Sequence, residues 1–161
     1  MRIIQSAAGR FRVNDASWAM VLRLAYIHGW RPRGTREPDD WQGVASDGVT
    51  PRLWNARNYW SRRGQKVTDE DAAAMSEALE TALPDIPDHD AIAHKVASTI
   101  DFPDRPAWRF LNPFRRINPY EYFSGAGKAR LTRFIGFCAQ GGFTIDGPGS
   151  GPRRSGGERK G

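Results

Sequence analysis

The chain has 161 residues, 39% of them hydrophobic, and a net charge of +6; that length is enough for one domain with its own core. Its single cysteine, Cys138, excludes an internal disulfide. No run approaches the roughly 18 apolar residues of a membrane span and Met1–Ser6 lacks the apolar stretch of a signal peptide, so a cytoplasmic protein is expected.

Residues 2–5 and 10–13 are short β-type runs around Ser6-Ala7-Ala8-Gly9, which predicts a hairpin. Asn14 or Asp15 can cap a following helix whose stripe is Trp18, Val21, Leu22 and Ala25, widened by Met20, Leu24 and Ile27. An element apolar nearly all round belongs at the centre of the core. Gly29 ends it, and Trp30 is expected to pack back. The stretch 31–49, punctuated by Pro32, Gly34, Pro38, Gly43 and Gly48, predicts a long irregular loop that is either pinned by Trp41 or functional.

Thr50-Pro51 reads as an N-cap followed by proline at the first helical position, and Arg62-Arg63-Gly64 as a cationic last turn with a glycine stop, which together predict a helix over 51–63. Leu53, Ala56 and Trp60 would lie on one side of it. A second helix is predicted over 68–83: Thr68 caps it, Asp69, Glu70 and Asp71 occupy its first turn in a capping-box arrangement, and Ala72, Met75, Leu79, Ala82 and Leu83 form the buried stripe. A shorter helix is expected over 88–98. The prolines and aromatics of 102–123 suggest a connector that wraps the core. Ser124 then opens a last helix with Leu131, Phe134, Ile135 and Cys138 inward, Gly141 closes it, and Phe143-Thr144-Ile145 is strand-like. The residues 147–161 are glycine-rich and almost without apolar side chains, so a disordered tail is expected. The predicted fold is mainly α: four to five helices around one core in a single domain over 1–146, with a small antiparallel β element formed by the N-terminal hairpin and 143–145.

The motifs point away from several chemistries. Ser124-Gly125-Ala126-Gly127-Lys128-Ala129 resembles a phosphate loop only superficially, because Tyr122 stands where the first glycine belongs and Ala129 where a hydroxyl is needed. His28, His89 and His94 lie on separate elements or out of helical register, so no metal site and no cofactor is predicted. Asp69, Glu70 and Asp71 diverge by about 100° each around a helix, and capping explains them better than acid–base catalysis. Cys138, within an apolar run, reads as a packed hydrophobe rather than a nucleophile.

The remaining functional signal is the interleaving of Trp54, Tyr59 and Trp60 with Arg57, Arg62 and Arg63, residue types that dominate protein hot spots and also stack on bases. Their other reading is core aromatics with solvated arginines. A helix-turn-helix over 51–83 would place the acidic helix in the groove, so a protein partner is expected before a nucleic acid. The alternatives are a nucleic-acid-binding module using the 51–63 helix with the arginines of 105–133, and an enzyme whose site is dispersed.

Three segments carry a resemblance: His28-Gly29-Trp30-Arg31-Pro32-Arg33-Gly34-Thr35, then Gly64-Gln65-Lys66-Val67-Thr68 with Asp71-Ala72, then Phe137-Cys138 with Gly141-Gly142-Phe143-Thr144-Ile145. Their pattern resembles small uncharacterised bacterial proteins. The resemblance implies a bacterial origin and a shared helical scaffold, with no activity attached; the expected function is that of a non-enzymatic accessory protein.

Overall fold

A computed structural model describes residues 1–90, 113–114 and 116–147. All but the first three residues of the helix expected over 88–98, most of the aromatic connector and all but the first residue of the tail lie outside them.

The hairpin forms as expected: β1 (Arg2–Ser6) and β2 (Gly9–Val13) pair antiparallel, with Ile4 opposite Phe11 and Arg2 opposite Val13. β3 (Arg63–Val67) and β4 (Phe143–Asp146) complete a four-stranded antiparallel sheet in the order β2-β1-β4-β3. Alternation puts Arg2, Ile4, Gln65, Val67, Phe143 and Ile145 on one face, where all six are buried.

The helices pack on that face. Asn14 caps α1 (Asp15–Ile27) by accepting from the Ser17 N–H, and eight consecutive residues from Trp18 to Ala25 are buried, as an all-round apolar helix requires. Thr68 caps α2 (Asp69–Ala82), which buries Ala72, Met75, Leu79 and Ala82. A short α3 (Pro119–Tyr122) leads into α4 (Ala126–Ala139), which turns Leu131, Phe134, Ile135, Phe137 and Cys138 inward. Edge-to-face aromatic contacts join the layers: Phe143 of the sheet meets Trp18 and Phe134, and Phe11 meets Phe134 and Phe137. Burial pushes the Cys138 thiol well above its ordinary pKa, as suits a packed side chain.

The expected mainly-α fold is therefore corrected to α+β, and the helical scaffold implied by the resemblance with it. The error traces to residues 50–67. No helix forms over 51–63. Pro51 instead bridges Val44, the Asn55 side chain accepts from the Arg57 N–H, and Asn58 Oδ1 accepts from the Ser61 N–H. Such local side-chain bonds offer the backbone an alternative to a helix. The Arg62-Arg63-Gly64 signal is a strand entry: Gly64, at φ 86°, sits at the irregularity between Arg63 and Gln65 in the pairing with β4, where a positive φ is needed.

The Leu79 side chain is wholly buried between layers. Leu79→Ala is expected to cost about 2–5 kcal/mol through the cavity it leaves, read from the urea midpoint at unchanged slope.

Candidate functional site

The start of α2 organises one end of the molecule. Asp71 is buried, and its carboxylate accepts the backbone N–H groups of Arg33 at 2.9 Å and Gly34 at 3.0 Å and the Tyr59 hydroxyl at 2.6 Å. Its main-chain carbonyl accepts the Trp30 indole N–H at 3.0 Å. The capping box is thus only half formed: Thr68 Oγ1 accepts the Asp71 N–H, while the Asp71 side chain is turned to the 30–35 loop. Desolvation, then the bond to Asp71, raises the Tyr59 phenol far above its ordinary pKa. The neighbouring carboxylates serve elsewhere: Asp69 accepts the Gly142 N–H at 2.7 Å and Glu70 pairs with Arg33 at 2.8 Å. Their divergence around the helix gives each a separate task.

Fixing 33–35 in turn fixes the long loop. Thr35 donates its N–H to the Ala56 carbonyl at 2.7 Å, and Arg36 exchanges both backbone bonds with Lys66 on the outer edge of β3. Gly34 passes so close to Ala56 that a Cβ on it would lie 2.8 Å from the alanine Cβ, and its φ of 139° also suits glycine alone. Trp54 is held by its indole N–H on Thr35, 3.2 Å from the carbonyl, and meets Trp41 edge to face with ring centroids 5.0 Å apart. The Arg52 guanidinium lies over the Trp41 ring at 4.8 Å. Trp41 thus pins the loop, as one of the two sequence readings had it.

Beyond this aromatic pair the loop projects. The Val44–Pro51 bridge carries a turn in which Asp47 accepts the Thr50 hydroxyl and the Thr50 and Val49 N–H groups. The Thr50 hydroxyl foremost, then the two N–H groups, hold its carboxyl down to about 2, so the turn keeps its anchor until the pH falls to that value. Three large apolar side chains on this projection face solvent, Val44, Val49 and Leu53, and the last two most fully, at 79% and 93%.

The structure divides the sequence-predicted site. Trp54 is half-buried beside the exposed Leu53, and Arg57 is exposed nearby in sequence. Tyr59 is buried on Asp71 and is removed from the contact surface. Trp60, half-buried, is covered by the Arg2 guanidinium at 3.8 Å from its ring. Arg62 and Arg63 are exposed, but Arg62 lies against the N-terminal strand through the Met1 carbonyl. Sequence reasoning did not single out Leu53, which it placed with Ala56 and Trp60 on one side of a helix, and did not pair Trp41 with Trp54.

Under the loop lies an open cleft of about 1020 Å³. Arg33, Arg36 and Lys66 line it together with Glu37, Asp69 and Glu70, so its formal charges cancel. All three segments that carry the sequence pattern contribute to its wall: Gly34 and Thr35, Val67 and Thr68, and Gly142 to Thr144. Among the described residues that line the cleft, no nucleophile is hydrogen-bonded to a base. Among the described residues no three His, Cys, Asp or Glu side chains gather as metal ligands, and no helix is long and apolar enough to cross a membrane. His28 bridges the Tyr120 hydroxyl at 2.8 Å and Thr81 at 3.3 Å, and Lys128 of the phosphate-loop-like segment is taken by the Ile86 carbonyl and Asp88.

Set against known protein families, characterised proteins and solved structures, the chain matches none.

Asp71→Asn keeps the shape of the hub but turns one acceptor into a donor facing N–H or O–H groups. A loss on the order of 2–3 kcal/mol is expected in denaturant unfolding. Tyr59→Phe should cost less, about 1–2 kcal/mol, because the carboxylate keeps both backbone donors.

Proposed function

We propose that the protein is a non-enzymatic interaction protein that binds a protein partner through the projecting loop, with Leu53 and Trp54 at the centre and Trp41, Arg52 and Arg57 around them. The observation that carries this reading is Leu53, 93% exposed beside a braced tryptophan pair. A leucine held in water next to aromatics pinned from below has the anatomy of a hot spot: an apolar anchor on a preorganised base, ringed by arginines. The charge balance of the adjoining cleft supports a protein partner over a nucleic acid, because a phosphate backbone needs a cationic track and here Glu37, Asp69 and Glu70 interrupt it. Arg62 and Arg63 are better placed as rim charges than as anchors.

A photo-crosslinker at position 53, used in cells that make the protein, should give adducts that survive nuclease and are destroyed by protease. Leu53→Asp and Trp54→Ala should each reduce capture about tenfold, as loss of a hot-spot anchor does, whereas a paired Arg62→Ala, Arg63→Ala variant should change it little. Adducts lost to nuclease, with an affinity that falls by about 0.7 to 0.9 log units per log unit of salt for each neutralised phosphate, would establish the nucleic-acid reading instead.

A further inference from the structure

A second cavity, on the opposite side of the sheet order from β3, opens between β2, the start of α1 and the α3–α4 corner, and has a volume of about 620 Å³. Its wall is apolar: Phe11 and Val13 from β2, Trp18 from α1, and Leu131 and Phe134 from α4. Ser17 and Tyr122 contribute hydroxyls bonded to each other at 2.6 Å, giving the wall one polar spot. Three arginines, Arg12, Arg130 and Arg133, also line it, all exposed, and among the described residues no aspartate or glutamate does. None of the three forms an ion pair with a carboxylate among the described residues, whereas Arg2, Arg33, Lys66 and Lys128 all do.

That distribution is unlike the cleft beneath the loop, whose charges cancel. Cations converging on an apolar cavity without acids among them set up a positive field at its mouth, and low-dielectric walls concentrate it. The volume falls within the range of small-molecule sites, which are mostly apolar with a few polar groups that fix orientation. We infer that this cavity binds a small amphipathic anion, an aryl or medium-chain acyl carboxylate, with its apolar body against Phe11, Val13 and the exposed edge of Phe134 and its carboxylate held by Arg130 and Arg133, with Arg12 beside them. The planar guanidinium fork suits a carboxylate in two-point contact. Arg130 and Arg133 stand three residues apart on α4 and so share one face of it.

The test uses the full chain with 1-anilinonaphthalene-8-sulfonate as the fluorescent probe, decanoate as the displacing acid and decanol as its uncharged counterpart. Saturable one-site binding of the probe is expected, with displacement by decanoate and at least tenfold weaker displacement by decanol. Arg130→Gln combined with Arg133→Gln should weaken decanoate about tenfold, since two exposed charge contacts are removed, and should leave the melting temperature unchanged because both side chains are in solvent. Amide shifts on decanoate binding should centre on Ala126, Gly127 and the β2 residues. Absence of saturable binding, equal displacement by decanol, an undiminished affinity in the double variant, or shifts centred elsewhere would each overturn the assignment. The Leu53 loop lies outside this cavity, so Leu53→Asp should leave decanoate binding intact.

Discussion

The buried carboxylate of Asp71 is the constraint on which the 30–59 loop depends. A carboxylate out of water is costly unless its oxygens are satisfied, and among the described residues no arginine or lysine side chain pairs with Asp71. It is satisfied by two successive backbone N–H groups and a phenol, at the positive end of α2. Donors of that kind come only from chain that has been brought to a fixed place. The 30–35 segment and Tyr59 must therefore both arrive at α2 before the carboxylate is content, and the chain between them is closed into a loop by the same bonds. Trp30 seals the arrangement from the core side, with its indole on the Asp71 carbonyl and its ring edge to face with Tyr59 at 5.2 Å.

From that hub the projecting loop acquires its rigidity in steps. Thr35 holds Ala56 and Trp54, Trp54 holds Trp41, and Trp41 supports Arg52. Each step fixes a side chain that would otherwise pay conformational entropy on binding. Leu53 stays in solvent beside two tryptophans that already pack edge to face against each other. The loop is long and almost without regular structure, yet its base is anchored as firmly as a strand by the Arg36–Lys66 backbone pair, which also shields part of the β3 edge from pairing with another chain.

What was legible in the sequence divides along the range of the interactions. Helices α1, α2 and α4 were legible because caps and 3.6-residue periodicity are local, and the Thr68 cap and Leu79 stripe fall where the pattern put them. The pairing of β4 with the hairpin was also visible. β3 was not, since Arg-Gly-Gln-Lys-Val has little strand character and is held by β4 on one side and Arg36 on the other. The same residues that wrote a helix end, two arginines and a glycine, also suit a bulged strand entry, and only tertiary contacts distinguish the two. The proposed surface was half legible: Trp54 and Arg57 were named from composition, while Leu53 was placed beside Ala56 and Trp60 by a helical period that never forms. Asp71 was seen as a capping residue. Its real partners lie 37 and 38 positions away, beyond the reach of any local pattern.

The two charged surfaces follow from that same folding. The acidic start of α2 draws Arg33 into an ion pair and places Asp69 on Gly142, so the cationic loop and the acidic helix neutralise each other where they meet. Among the described residues the cavity-lining arginines of β2 and α4 have no such counterpart, because the hairpin, the start of α1 and α4 bring hydroxyls and aromatic rings but no carboxylate to the cavity they share. Charge left uncompensated at the mouth of an apolar cavity attracts anions, whereas compensated charge around an exposed leucine favours desolvation by a protein surface. On the two assignments proposed above, the distribution of acidic residues separates the sites in chemistry: one would take an extended neutral contact, the other a small charged ligand.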